Sequence, residues 1–313
     1  MFVSYAQNFE DVVLWRVFQT ISAGTYVDVG AADPVDDSVT QAFYERGWTG
    51  LDIEPNPEFA DRLRAMRPRN VVIEECVGDS DEASVVLHVV RGTGLSTVRN
   101  DYAERITDPS LEIEAIRVPT RRLDAVLEGA GFAGRPIHFL KVDVEGAERS
   151  VLSSIDLKRW RPWVIVVEST EPRSTTLSFD SWEQLLLDAN YSFSLFDGLN
   201  RFYLAQEHRE FEAVLSAPAN FFDKPFVGIE ESRIRAELEW ITASWHHLNS
   251  EYLSTVEAYK RLEAEHLLAL SNHNKLEEVL RDTLAAYQRL EGVYNEAIEA
   301  YARQEAILNG KSR

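Results

Sequence analysis

Carboxylates punctuate this chain at the ends of apolar runs. Asp28 lies two residues before Gly30 in Tyr26-Val27-Asp28-Val29-Gly30-Ala31-Ala32-Asp33, and Glu54 closes Gly50-Leu51-Asp52-Ile53-Glu54-Pro55. Asp79 follows Gly78, Asp143 and Glu145 stand in Leu140-Lys141-Val142-Asp143-Val144-Glu145-Gly146, and Glu168 ends Trp163-Val164-Ile165-Val166-Val167-Glu168. A glycine turn with an acid 24 residues on is a nucleotide half-site: the turn approaches the ligand and the acid accepts from ribose hydroxyls. A diphosphate needs several glycines so that backbone N–H groups reach it. Here Ala31, Ala32 and Asp33 follow the single Gly30, and an acid beside the turn repels phosphate. The pattern suits a ligand with positive charge and no phosphate. S-adenosylmethionine (SAM), with its sulfonium and amino groups, fits; NAD does not.

On this reading Asp28, Gly30, Asp33, Glu54, Asp79 and Asp143 form the cofactor side. Asp28 would face the amino group or sulfonium, since an acid inside a strand is costly to bury unpaired. Glu54 would hold both ribose hydroxyls, with Asp52 deeper on the same face as second choice, and Asp79 would meet the adenine amino group. Asp143 and Glu145 follow the fourth strand, where ligands bind in open α/β sheets. Methyl transfer is an in-line displacement, so the protein mainly positions the acceptor and excludes water. A hydroxyl acceptor of high pKa gains from a base, for which Asp143, Glu145 and His138 are the candidates. His138 lies on the opposite side of the strand from Asp143 by alternation and also reads as a packed core residue; Lys141 shares the Asp143 face. Asp143 with Glu168 offers oxygen ligands to Mg²⁺, but no third ligand is fixed and no metal site is assigned. Gly92-Thr93-Gly94-Leu95-Ser96-Thr97 lacks the Lys-Ser/Thr of a phosphate loop and reads as a loop over the acceptor. Cys76 reads as a packed small hydrophobe.

The elements that position these residues alternate strand and helix, predicting a parallel α/β sheet. Strands are expected at 25–30, 49–54, 70–77, 137–144 and 163–168, and helices near 8–20, 36–46, 57–67, 121–128 and 180–189. Asn56 caps the third of these helices, with Pro57 at its first position. Residues 84–119 read as an insertion. Strands 191–197 and 201–205, joined by Asp197-Gly198-Leu199-Asn200, make a closing antiparallel hairpin.

These blocks in this order, with Ser4-Tyr5-Ala6-Gln7-Asn8-Phe9-Glu10-Asp11, Gly94-Leu95-Ser96-Thr97 and the continuation to Glu148, resemble the FkbM-type SAM-dependent methyltransferases over residues 1–226. The resemblance implies a class I methyltransferase (Rossmann-like) sheet and O-methylation of a glycan or other hydroxylated metabolite. Phe9 stands where the family pattern commonly has glycine, in a segment that would lid the pocket. The alternative is a catalytically degenerate methyltransferase-fold head on a structural coiled coil. The joint presence of Asp28, Gly30, Glu54 and Asp143 weighs against it.

The remainder is a different kind of sequence. All 11 prolines and 13 of the 15 glycines occur by Gly228, placing a boundary near 217–229 between a 1–226 domain and a 229–313 tail. From Leu238 to Leu308 a heptad register runs unbroken, with a positions such as Trp245, Tyr252, Tyr259 and Tyr287 and d positions such as Ile241, Leu248 and Leu262. Apolar residues also fill e (Val256, Leu270, Leu284, Ile298), a stripe wider than a dimer seam, so the tail predicts a homo-oligomer, a parallel trimer or higher. Its rival is a helical hairpin within one chain, for which no midpoint turn residue exists. His266 and His273 fall on the seam as register-fixing polar layers.

The tail holds 15 acids and 10 bases, hence −5 of the −20 net charge. That charge disfavours nucleic acid and anionic membranes. One cysteine fits a reducing, cytoplasmic setting, and no apolar run predicts a signal peptide or transmembrane span.

Overall fold

The computed structural model describes residues 2–80, 82–106, 108, 111–223 and 226–310. Thr107, Pro109 and Ser110 of the expected insertion, Lys224 and Pro225 of the expected boundary, residues 311–313, and the side chains of Ile307 and Leu308 closing the heptad register lie outside it.

Seven strands build the central sheet: β1 (Thr25–Val29), β2 (Thr49–Ile53), β3 (Val71–Ile73), β4 (Phe139–Val142), β5 (Val164–Glu168), β6 (Tyr191–Phe196) and β7 (Asn200–Ala205). Their spatial order is 6-7-5-4-1-2-3. β1 to β5 run parallel, and β7 inserts antiparallel between β5 and β6. This is the expected class I methyltransferase sheet with its closing hairpin. Asp197 Oδ1 makes the hairpin turn by accepting the amides of Leu199 and Asn200.

Every residue of β1 and β5 is buried, as strands covered on both faces require. Val27, Leu51, Leu140 and Ile165 pack on one face against helices Leu123–Gly129 and Glu148–Ser153. Tyr26, Phe139 and Phe202 pack on the other with helix Glu10–Phe18 and Trp48. Asp28, two residues from Tyr26, shares that second face.

Two expectations change. The strand placed at 70–77 divides: after Ile73 the chain leaves the sheet, and Cys76–Val77 pairs instead with Ile113–Arg121, itself antiparallel to Ser84–Val90. Glu74 and Glu75 at the break pair with Arg64 and Arg121. The insertion is thus a three-stranded sheet beside the crest. The helix placed at 36–46 is only Gln41–Glu45. Residues 33–40 instead form a loop in which Asp33 Oδ1 accepts the Val35 and Asp36 amides, and Arg67 bonds Pro34 O and Ser38 Oγ. The helix Pro57–Met66 begins as expected, with Asn56 Oδ1 accepting the Glu58 amide.

Phe2–Ser4 pairs in parallel with Phe226–Gly228, so the first compact unit runs to Ile234, past the boundary read from proline and glycine. The described residues of the second unit, which starts at Arg235, belong to one helix from Ile229 to Gly310, continuous over 82 residues. An unbroken helix leaves no hairpin within the tail. No helix among the described residues is long and apolar enough to cross a membrane.

Candidate functional site

At the carboxyl end of the sheet a cavity of about 640 Å³ opens between the crest and the insertion. Nine carboxylates line it against two bases, Arg62 and Lys141. Ile53, Phe59 and Val77 supply an apolar wall. Gly92 to Ser96 line it too, which puts the glycine-rich loop at the site.

The floor is the Gly30 turn. Gly30 has φ +78°, and a Cβ there would sit 1.7 Å from Asp143 O, so only glycine lets β1 and the β4 exit approach so closely. The turn amides are occupied within the chain. Gly30 N and Ala31 N donate to Ile53 O at 2.9 and 3.2 Å, and Ala32 N donates to Glu54 Oε2 at 2.8 Å. No helix N-terminus backs the turn, because the next helix starts at Gln41. Both devices that bind diphosphates, free amides and a helix dipole, are therefore missing here. Asp33 lines the cavity as well, with its carboxylate held within the chain. Its Oδ1 holds two amides and its Oδ2 pairs with Arg62.

Glu54 lines the cavity, accepting Asn56 N at 2.8 Å on Oε1 and Ala32 N on Oε2. Each oxygen keeps a lone pair for a ligand hydroxyl. Burial pushes this carboxyl up to about 7, against the two amides that hold it down.

Asp28 and Asp52 do not line the cavity. They sit beneath it in a buried relay that sequence reading missed. The fully buried Arg67 donates to Thr40 Oγ1 at 2.8 Å and faces Asp52 Oδ1 at 3.3 Å. Thr40 Oγ1 donates to Asp28 Oδ2 at 2.8 Å, and Asp28 Oδ1, without a hydrogen bond, faces Lys141 Nζ at 3.6 Å. Lys141 in turn reaches Asp143 Oδ2 at 3.3 Å. Burial alone would lower the Lys141 ammonium, but Asp143 and Asp28 more than reverse that and keep it charged. Asp28 thus acts on the cavity only through Lys141. Nothing in the sequence flags Arg67, which follows a helix end and finds Asp52 and Thr40 only after folding.

Asp79 is exposed and also stands off the cavity, although Gly78 and Ser80 line it. Its carboxylate accepts Ser150 Oγ, and its amide donates to the same oxygen at 3.1 Å. Cys76 lines the cavity rather than only packing, and burial raises its thiol.

His138 is displaced furthest from its expected role. It precedes β4, so it sits at the amino edge of the sheet, roughly 15 Å of strand from the crest. Its Nδ1 accepts Thr25 N at 3.0 Å, and its ring packs between Trp48 and Trp163 at 5.1 and 4.7 Å. It does not line the cavity at the crest, and burial lowers its pKa.

Four carboxylates gather at the ends of β4 and β5. Asp143 is paired with Lys141, and Glu148 accepts the Gly146 amide at 2.9 Å. Glu145 has no hydrogen bond from its side chain among the described residues. Its backbone is left-handed at φ 51°, a geometry that costs a non-glycine residue roughly 1–2 kcal/mol. Thr97 Oγ1 holds it by donating to Glu145 O at 2.8 Å. Burial, then Asp143 and Glu148, push its carboxyl up to about 8. Glu168 Oε2 is buried without a partner, and burial with Asp143 and Glu145 beside it raises that carboxyl far above the usual range. Among the described residues no group of three or more His, Cys, Asp or Glu is arranged to hold a metal ion, so the sequence suggestion of Mg²⁺ at Asp143 and Glu168 gains no support.

Phe9 shows the same kind of strain at the N-terminal wall, with φ 61° where glycine moves freely. Its neighbours Gln7 and Glu10 line the cavity.

A SAM molecule fits these donors. The acidic lining would meet its charges, Glu54 would accept from vicinal hydroxyls, and the apolar wall would take a purine. The family model described as the methyltransferase FkbM domain matches residues 28–193, more than half of the chain. Two solved structures are similar to it. One is a TehB-like SAM-dependent methyltransferase from Corynebacterium glutamicum ATCC 13032 Kitasato, 8% identical, TM-score 0.34, covering 62% of this chain and 88% of that one. The other is a precorrin-6y C5,15-methyltransferase from Geobacter metallireducens GS-15, 11% identical, TM-score 0.34, covering 65% and 91%. No curated protein matches the chain.

Proposed function

The chain belongs to the FkbM family of SAM-dependent methyltransferases, and we propose that it methylates a hydroxyl oxygen of a glycan or similar hydroxylated metabolite, with Glu145 as the base. Bound SAM supplies a methyl carbon already activated by its sulfonium. The residues of the chain do the rest. Glu54 orients the ribose, Lys141 and the carboxylates around it set the charge, and the 92–96 loop excludes water. As the acceptor oxygen bonds to the methyl carbon and the carbon–sulfur bond breaks, the hydroxyl proton passes to Glu145.

Glu145 is preferred over Asp143 because its carboxylate has no hydrogen-bonding partner and its raised pKa matches a base working near neutrality. One observation supports the cofactor assignment above the others: an acid-lined cavity whose floor amides are already bonded within the chain. Calorimetric titration with SAM, followed by a methyl-transfer screen over glycans and small hydroxylated metabolites read by mass spectrometry, tests it. Binding without transfer to any hydroxyl would remove the O-methylation. Absence of SAM binding would leave the degenerate-head alternative.

The tail completes the proposal. Tyr259, Leu280 and Tyr301 on its a line are each about two-thirds exposed on the single helix. Such a stripe is stable in water when copies cover it. Parallel, in-register packing sets Glu251 against Val256 and Glu265 against Leu270, with no two acids opposed across the seam, and the apolar e positions favour three helices or more. Light scattering on the full chain, set against a chain ending at Ile234, tests this: a monomeric full chain or a strict dimer removes it.

A further inference from the structure

A second cavity of about 550 Å³ adjoins the first and shares Leu95 and Glu145 with it. Its size is in the range that holds a small organic molecule. Glu145 is the one charged residue that lines both. The loop carrying it rests on Tyr102, since a Cβ at Gly146 would lie 2.0 Å from that ring. Tyr102 is buried and lines the second cavity, with the Arg105 guanidinium 5.2 Å from its ring centroid.

The charges of the two cavities differ. The first is acidic nearly throughout. The second carries Arg105 and Arg173 beside Asp108, Glu145 and Glu171. Arg105 reaches Glu171 only at 3.4 Å, long for a charge-assisted bond, with its side chain 63% exposed. Arg173 has no ion pair or hydrogen bond among the described residues. Two guanidiniums against three carboxylates make this lining far less acidic than the first cavity, with its nine carboxylates to two bases, and Arg173 is the guanidinium without an ion pair among the described residues.

We propose that this cavity is the acceptor subsite and that it takes a hydroxylated ring bearing an anionic group, a carboxylate, sulfate or phosphate, held by Arg173 and Arg105 while a ring hydroxyl is presented to Glu145. The proposal rests on the methyl-transfer reading above. A neutral ring would leave Arg173 without a counterpart, and a cationic one would meet two guanidiniums. Guanidinium recognises planar or tetrahedral oxyanions through paired N–H donors.

The test uses the full chain saturated with S-adenosylhomocysteine. Methyl β-glucuronide and methyl β-glucoside are titrated in turn, followed by ligand-observed NMR. The expected result is binding of the glucuronide roughly tenfold tighter or more, as one charge-assisted contact allows. The Arg105→Gln, Arg173→Gln double variant loses that preference and Arg173→Lys keeps part of it, with S-adenosylhomocysteine affinity unchanged in both. Equal affinities, no binding of either glycoside, or a preference that survives the double variant would overturn the proposal. Failure of S-adenosylhomocysteine itself to bind would instead overturn the methyl-transfer reading, and this proposal with it.

Discussion

The crest of the sheet has two halves that use the same side chain differently. Over β1 and β2 most carboxylate oxygens are held by donors, Asp28 Oδ1 being the exception. Glu54 holds two amides, Asp33 holds two amides and Arg62, and Asp52 lies against Arg67 and Asn70. Over β4 and β5, the Glu145 side chain makes no hydrogen bond among the described residues, and Glu168 Oε2 is buried without one. An acid fixed by donors is a shaped surface: its position is set before a ligand arrives. An acid buried without donors holds its proton more tightly and exchanges it with whatever comes near. On the proposed function, the first half binds and the second reacts.

The hardest blow to that division is Glu145→Gln. Removal of the base is expected to lower kcat by about 10²- to 10⁴-fold and to leave SAM affinity within a few-fold, read by steady-state rates beside calorimetry. Near-normal turnover would place the reactive half elsewhere. Next comes Glu54→Ala. Loss of charged hydrogen bonds to the ribose should weaken SAM binding by roughly 10- to 100-fold, with kcat at saturating SAM little changed; the reverse pattern would merge the two halves.

The pH profile sharpens the comparison more gently. Glu145 must be ionised to accept a proton, and its carboxyl is raised to about 8. Activity therefore rises with pH, about tenfold per unit below that value, and levels off above it. Glu145→Gln should flatten the rise, and a wild-type rate already level through neutrality would contradict the assignment. The smallest effect is expected for Glu168→Gln. A carboxyl kept protonated is close in shape and charge to an amide, so melting temperature and kcat should move little. A large loss of either would show that Glu168 works as an anion.

Much of this was legible in the residues. Gly30 and Glu54 stand where the spacing put them, and the Asn56 cap starts its helix. Asp28 was read as a ligand contact because an acid inside a strand needs a partner. The inference of a partner was right, but the partners are Thr40 and Lys141. His138 alternates away from Asp143 as the strand period requires, yet only the fold shows that it also lies at the far edge. Asp79 follows a strand end as predicted, and Ser150, 71 residues later, occupies it.

The sequence by itself determined most of the core strands, the crest acids and the long helix, because those follow from periods of two and 3.6 that any short window contains. Tertiary structure alone decided which acids are occupied and which are not. Arg67 meets Thr40 across 27 residues, Lys141 meets Asp28 across 113, and the loop holding Glu145 rests on Tyr102. Such pairings depend on how crossovers bring distant segments together, and burial then sets the proton affinity of whatever is left without a donor.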